Sequence, residues 1–424
     1  MLYVRGNHKD YDNWAAQGAE GWSFKDVFPY FLKLEDNRNI EFLTNGYHAS
    51  GGPITVEKPG YQPEIKNRIL EAAQQLGYKV IDSNGARQTG FYDLQGNLRN
   101  GQRCNTAQAY LVPVENRTNL DIIGGAHVKK IPVIADLPVG NNFQDHCGTF
   151  LPFVLNEIPL NEKLRSPRNI KEYINRRTGP LSSVEFISSM AFLGGQEEDF
   201  PDHELYFAEI TKIIPKEQVG FKPIIYKLLV SPYENGPMMV CLSQLLHPKS
   251  RGTVRLQSTN PYDPPLIDPN YFDDPADIES IVRGLKTCRK IGLSEPMREL
   301  GVKPFATILP GFTNLIPDLD LYFKLLARLV VVTLSHQVGT AKMGDPRDPT
   351  TVVDPLLRYI KSRNNHLKRD SSMKKQECVF PLIMLAEDKK CDNLTESGVI
   401  CTRLLLLEKI LGFTLRVIQK SWIA

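Results

Sequence analysis

The run Leu329-Val330-Val331-Val332-Thr333-Leu334 is the stretch that most restricts what this chain can become. It is β-branched, apolar and too short for a helix of its own, so it predicts a buried strand. Ser335-His336-Gln337-Val338-Gly339 follows, and its glycine predicts a turn. His336 therefore stands where a rigid strand gives way to a loop. An imidazole held at such a mouth can take a proton from a substrate. On these residues alone a satisfied structural histidine is the commoner outcome, and the catalytic reading needs support from elsewhere in the chain.

The rest of the chain narrows the classes of function. At 424 residues it is long enough for two or three domains with a sizeable core. A net charge of +3 is too small to argue for nucleic acid or a membrane surface as partner. The eight histidines (8, 48, 127, 146, 203, 247, 336, 366) are scattered, which argues against a metal hydrolase. A serine hydrolase would need G-x-S-x-G, which does not occur. The seven cysteines show no C-x-x-C pair and no regular spacing, so the expectation is buried free thiols, with neither a zinc site nor a disulfide framework.

No membrane span is expected, because the most apolar tail stretch, Leu404 to Ile418, is broken by Glu408, Lys409 and Arg416. Met1-Leu2-Tyr3-Val4-Arg5-Gly6 lacks the charged, apolar and small-residue succession of a signal peptide. Asn116-Arg117-Thr118 and Asn393-Leu394-Thr395 are N-x-[ST] sequons.

Taken in order, the chain predicts a short strand and helix start over 1–14 and a helix over 21–38. Gly46 to Val56 reads as a turn-rich link into a strand, and His48 falls within it. Glu64 to Leu76 reads as an amphipathic helix stopped by Gly77, and Leu120 to Ile131 as strand, glycine pair, strand. Beyond residue 147, strands are expected at Thr149–Leu155, Met239–Leu246 and Gly252–Leu256. Helices are expected at Ile278–Ile291 and Pro317–Leu329, the texture of an α+β domain.

Several stretches resemble one family in the right order. Ser335-His336-Gln337-Val338-Gly339-Thr340-Ala341-Lys342-Met343-Gly344, with Val352-Val353-Asp354-Pro355 after it, resembles the C-terminal signature of the glucose–methanol–choline (GMC) flavoprotein oxidoreductases, most of all the insect glucose-dehydrogenase-like branch. Met1-Leu2-Tyr3-Val4-Arg5-Gly6 resembles the end of the family's first signature. Gly101-Gln102-Arg103-Cys104-Asn105-Thr106-Ala107-Gln108-Ala109-Tyr110-Leu111-Val112-Pro113 matches its Gly-x-Arg-x-Ser-x-x-x-Ala-Tyr-Leu-x-Pro segment, with Asn105 in place of the usual Ser. Pro138-Val139-Gly140-Asn141-Asn142-Phe143-Gln144-Asp145-His146 resembles its Pro-Val-Gly-x-Asn-Leu-x-Asp-His loop.

The resemblance implies an FAD-dependent oxidoreductase acting on the CH–OH group of an alcohol or sugar, with an electron acceptor such as a quinone. His336 would be the active-site base, and Met1, Asn105, Tyr110 and Val128 would lie on the cofactor-binding side. It also implies an incomplete Rossmann-like FAD-binding domain beside an α+β substrate domain with an antiparallel sheet. The corresponding division is 1–146 for the FAD-binding remnant, 147–247 for the substrate insert, 248–358 for the C-terminal domain and 359–424 for an unmatched tail.

The departures from the pattern are as informative. The family's strand–G-x-G-x-x-G–helix unit, whose glycines let the backbone approach the FAD diphosphate, has no counterpart here, nor does the segment expected between Ile131 and Pro132. The second catalytic position falls near Glu377, with no Asn or His on it, and Asn364, Asn365 and His366 come too early. These losses keep open an alternative: a non-catalytic binding remnant of such a flavoprotein. The family allows an extracellular location, which this sequence does not decide.

Overall fold

The computed structural model describes residues 2–122, 136–156, 160–184, 187–210, 222–227, 236–305 and 318–360. The strands, in chain order, are β1 (Glu35–Asn37), β2 (Ile54–Val56), β3 (Val80–Ile81), β4 (Gly90–Tyr92), β5 (Leu98–Arg99), β6 (Gln102–Arg103), β7 (Cys147–Val154), β8 (Ile187–Leu193), β9 (His203–Ile210), β10 (Met238–Leu245), β11 (Thr253–Arg255), β12 (Leu266–Asp268), β13 (Lys303–Pro304) and β14 (Val332–Thr333).

Eight of them form one sheet in the order β13-β7-β10-β9-β8-β4-β3, with β14 also on β7. Its long central strands are antiparallel, with Met238 opposite Val154 on one side of β10 and Ile210 on the other. The sheet draws on all three stretches up to residue 358. Among the described strands parallel pairing is confined to β1–β2 and β3–β4, and an isolated parallel bridge joins Met343 to Val353.

Side chains alternate across a strand, and here the two faces have different tasks. Phe91, Ala191, Leu205, Phe207, Met239 and Cys241 face a layer of helices: Glu64–Gln75, Pro275–Gly292 and Glu295–Glu299. The intervening positions, Tyr92, Met190, Phe192, Glu204, Tyr206 and Gln244, point to the opposite face.

A second core gathers Tyr3, Tyr11, Trp22, Phe31, Leu34, Ile54 and Val56 with Val352, Val353 and Leu357. The Trp22 indole donates to the Pro355 carbonyl (2.8 Å), so the two ends of the described chain are joined here.

Most expected elements appear. The helix read at Glu64–Leu76 spans Glu64–Gln75, and that at Ile278–Ile291 spans Pro275–Gly292. The helix read over 21–38 is shorter, Phe24–Leu34, because Glu35–Asn37 turns into β1 and pairs with β2. The run Leu329–Leu334 also departs from expectation. Leu329 ends the helix Leu319–Leu329, whose buried Phe323, Leu326 and Ala327 continue to Val330 at helical spacing, so only Val332 and Thr333 are left to pair as strand.

The cysteine reading needs correction as well. Cys241 and Cys288 are disulfide-bonded between β10 and the helix Pro275–Gly292. The partners are 47 residues apart, so only the fold brings them within reach. Cys104 and Cys147 are buried free thiols, as expected. The strand–glycine–strand reading around Leu120–Ile131, the Ile131–Pro132 junction and the Glu377 region lie wholly or mostly outside the described residues.

Candidate active site

Two loops face one another at the end of β7. Val332 and Thr333 pair with Gly148 and Cys147, and Leu334 N–H donates to the His146 carbonyl. Farther along, Gln144 and Val338 exchange both backbone hydrogen bonds (2.9 and 2.8 Å). His146 and His336 are thereby held on opposing backbones.

The turn between them carries strain. Ser335 has φ +60°, a left-handed conformation that costs a non-glycine residue roughly 1–2 kcal/mol. Buried Asp145 holds it in place. One carboxylate oxygen accepts from the His336 backbone N–H (3.0 Å), and the other accepts from the Thr333 and Tyr271 hydroxyls. Thr333 Oγ1 accepts in turn from Ser335 N–H (2.9 Å).

Gly339 closes the arrangement. Its φ is +96°, and a Cβ there would lie 2.2 Å from the Asn142 carbonyl oxygen. Gly339→Ala is therefore expected to cost roughly 1–3 kcal/mol in backbone strain alone and to move the two histidines apart. A lowered melting temperature together with lost turnover would check this.

The rings meet edge to face, with centroids 5.3 Å apart and Nδ1 to Nδ1 at 3.2 Å. His146 Nδ1 also lies 3.0 Å from Gln244 Nε2, which donates in addition to Glu204 Oε2 (3.2 Å). Glu204 accepts from Tyr92 (3.0 Å) and Tyr206 (2.9 Å). A hydrogen-bonded chain thus runs from a buried carboxyl to His336 along the sheet face opposite the helices.

Charge and tautomer follow from this geometry. Burial pushes His146 down to about 3, with His336 adding to the effect, so its ring is neutral. With Gln244 donating to Nδ1, the His146 proton sits on Nε2, and the Leu246 carbonyl is a backbone acceptor for the ring. The single lone pair of His146 Nδ1 is then shared between the Gln244 amide and a His336 Nδ1–H, and in this tautomer His336 Nε2 is the unprotonated nitrogen, with no hydrogen-bond partner among the described residues. Burial also lowers His336 below the ordinary histidine value, against the charge of Asp145. The result is a neutral imidazole whose Nε2 lone pair is unengaged among the described residues.

Burial raises Glu204 to about 8, although the hydrogen bonds from Tyr206 and Tyr92 oppose it. Its sign in stability is definite. The unfolded chain releases this proton near the ordinary glutamate value of 4.5 and the folded chain keeps it to about 8. The folded state binds more protons in between, so stability falls as pH rises through that window. Glu204→Gln is expected to flatten that fall, as read by denaturant unfolding at a series of pH values.

The residues expected on the cofactor side make the contacts that follow or lie outside the described residues. Asn105 caps the turn that carries Tyr110, its Oδ1 accepting from Gln108 N–H (2.8 Å). Tyr110 packs against the N-terminal core, as do Ala341 and Met343 a few residues past His336, and burial raises its hydroxyl. Met1 and Val128 lie outside the described residues. His48 is a loop residue as expected, but buried, with Nδ1 on Glu35 and Nε2 on Asp82 (2.8 Å each). Asp145, His146, Gln244 and Glu204 were not singled out from sequence. The Asp-His pair was visible in the Pro138–His146 loop, whereas Gln244 and Glu204 carry no local signal.

Comparison with known proteins gives the family of the chain. Two family models, both described as GMC oxidoreductase, match residues 1–147 and 248–367. The chain is 30% identical to glucose dehydrogenase [FAD, quinone] of Drosophila pseudoobscura pseudoobscura, over 91% of this chain and 71% of that protein. It is 29% identical to an alcohol dehydrogenase [acceptor] of Pseudomonas putida, over 98% and 82%. Among solved structures, Aspergillus oryzae formate oxidase superposes with a TM-score of 0.70 at 17% identity, covering 86% of this chain and 76% of that one.

The chain belongs to the GMC oxidoreductase family. Its alignment with the Drosophila enzyme runs to 457 positions, more than its own 424 residues, so the relative carries residues without a counterpart here.

Proposed function

We propose that this chain is an FAD-dependent oxidoreductase acting on the CH–OH group of an alcohol or sugar, with His336 as the proton acceptor. The observation that carries the reading is the neutral His336 ring with its bare Nε2, fixed by Asp145 on one side and His146 on the other. Oxidising an alcohol takes a proton from the hydroxyl and a hydride from the carbinol carbon. The hydroxyl is a weak acid, so a base must act as the hydride leaves. FAD, when bound, supplies the hydride acceptor.

His336 Nε2 takes the hydroxyl proton. His146 is held neutral and hydrogen-bonded at Nδ1, so it orients His336 without competing for that proton. Protonated Glu204 keeps the chain behind it uncharged below about pH 8.

The residues present fit the cofactor at two places. Asn97 is fully buried, its amide O and N have no hydrogen-bond partner among the described residues, and it follows Gly96, which bridges to Leu2. Such an amide is complementary to the polar groups of a bound cofactor. It adjoins the segment with Asn105 and Tyr110 that the family resemblance assigns to FAD. His336 meets the needs of the reacting end. The names of the relatives support the rest: the Drosophila enzyme is a glucose dehydrogenase using FAD and quinone, and we extend a sugar or alcohol donor and a quinone-type acceptor to this chain.

The test is the visible spectrum of the purified chain after incubation with FAD and desalting, then anaerobic titration with a panel of sugars and alcohols. Retained flavin that bleaches with one of them supports the proposal. A folded protein that keeps no flavin overturns it in favour of a non-catalytic binding role.

A further inference from the structure

We propose that Asn116 is an N-glycan acceptor, modified in the same oxidising compartment in which the Cys241–Cys288 bond forms. Two independent observations meet in this assignment. The first is the disulfide. Both of its cysteines are fully buried between sheet and helix, and it closes a loop of 47 residues. Bonds of this structural kind form and persist in the lumen of the secretory pathway and outside the cell, and are rare in the reducing cytosol. The lumen is also where oligosaccharides are transferred to N-x-[ST] sequons.

The second observation is the accessibility of one such sequon. Asn116, Arg117 and Thr118 are all exposed. They lie just past the short helical turn Val112–Val114, where Arg117 N–H donates to the Val114 carbonyl (3.0 Å). Among the described residues neither the Asn116 amide nor the Thr118 hydroxyl has a hydrogen-bond partner, so both are free to enter a transferase site. Surface turns of this kind are where bulky modifications are accommodated. The flanking Val112 and Ile122 are about half exposed, at 54% and 52%, so the stretch has apolar surface that a hydrophilic glycan would help keep in solution.

The chemistry balances without any redox step. The Asn116 amide nitrogen forms a bond to C1 of the first N-acetylglucosamine of a polyprenyl-pyrophosphate-linked oligosaccharide. The C1–O bond to pyrophosphate breaks, the polyprenyl pyrophosphate leaves with that electron pair, and the amide proton is lost to the transferase.

The experiment expresses the full chain behind a cleavable secretion leader in cultured eukaryotic cells. Asn393→Gln is included in every version, so that only Asn116 can report. Protein is recovered from both the medium and the microsomal lumen. Intact mass is read before and after peptide N-glycosidase, and a non-reducing peptide map follows Cys241 and Cys288. The expected result is a mass loss on deglycosylation with conversion of Asn116 to aspartate. Thr118→Ala should abolish the mass loss and Thr118→Ser should keep it. The Cys241 and Cys288 peptides should run as a linked pair. Linked cysteines with an unmodified Asn116, in either pool, overturn the assignment. A glycan on Asn116 in protein whose two cysteines are free overturns the shared compartment. Because transfer acts on the nascent chain, an unmodified Asn116 in retained, misfolded protein counts against the proposal equally.

Discussion

His336→Ala is expected to lower the rate of substrate-driven flavin reduction by roughly 10²- to 10⁴-fold, the usual worth of a positioned general base, while the FAD absorbance after desalting stays as in the natural chain. The neighbouring ring cannot take over. Burial holds His146 far below neutrality, and its Nδ1 already accepts from Gln244. Asp145 is no substitute either, because both its oxygens are engaged in holding the turn.

The pH dependence follows the lowered pKa of His336. The base form persists to a pH below the ordinary histidine value of 6.5, and kcat/KM falls only on the acid side of that shifted pKa. His336→Ala should lose this acid limb along with the rate. An unchanged rate, or an acid limb that survives the substitution, would remove His336 from the chemistry.

What could be read from the chain beforehand divides along physical lines. Strands such as β7 and β10 were legible because their apolar runs are short and bounded by turn residues. His336 was legible through the motif that follows it. The chain of groups behind it was not. Glu204 and Gln244 occupy ordinary alternate positions on strands whose other face is apolar, and only the pairing of β9 with β10 makes them neighbours. The Cys241–Cys288 bond was hidden for the same reason, since it joins a strand to a helix across the core. Val330 was misread as strand because a run of β-branched residues fits a strand locally, whereas the helix read up to Leu329 buries Phe323, Leu326 and Ala327 and carries its spacing on to Val330. Local pattern gives the elements; the polar contacts that make a site depend on register, which is a property of the sheet.

The largest loss of stability is expected from Glu35→Ala. Glu35 is completely buried and accepts from Arg5 Nη2 (2.8 Å), His48 Nδ1 (2.8 Å), Asn37 Nδ2 (3.0 Å) and Ala49 N–H (3.1 Å). His48 also gives its Nε2 proton to Asp82 (2.8 Å). Two cations and two carboxylates therefore balance inside the N-terminal core. Removing one partner of a buried ion pair leaves the other desolvated and uncompensated, which costs about 3–5 kcal/mol.

Burial pushes the His48 pKa down, but the hydrogen bonds and charges of Asp82 and Glu35 more than reverse it, so the folded value lies above the ordinary 6.5. A raised pKa makes a definite prediction. The contribution of His48 is fully present below its unfolded pKa and is lost as pH rises through the folded one. Denaturant unfolding at several pH values should show the natural chain losing stability above about pH 6.5 from this group. Glu35→Ala should be less stable throughout and should lose part of that slope, because one of the two carboxylates that raise His48 is gone. A variant within about 1 kcal/mol of the natural chain would mean that water or a side-chain shift replaces Glu35. Arg5, near the start of the described chain, donates to the Tyr47 carbonyl (2.6 Å), so the cluster clamps the N-terminal segment to the loop that carries His48. Its loss is therefore expected to loosen the N-terminal core, against which the segment following His336 packs.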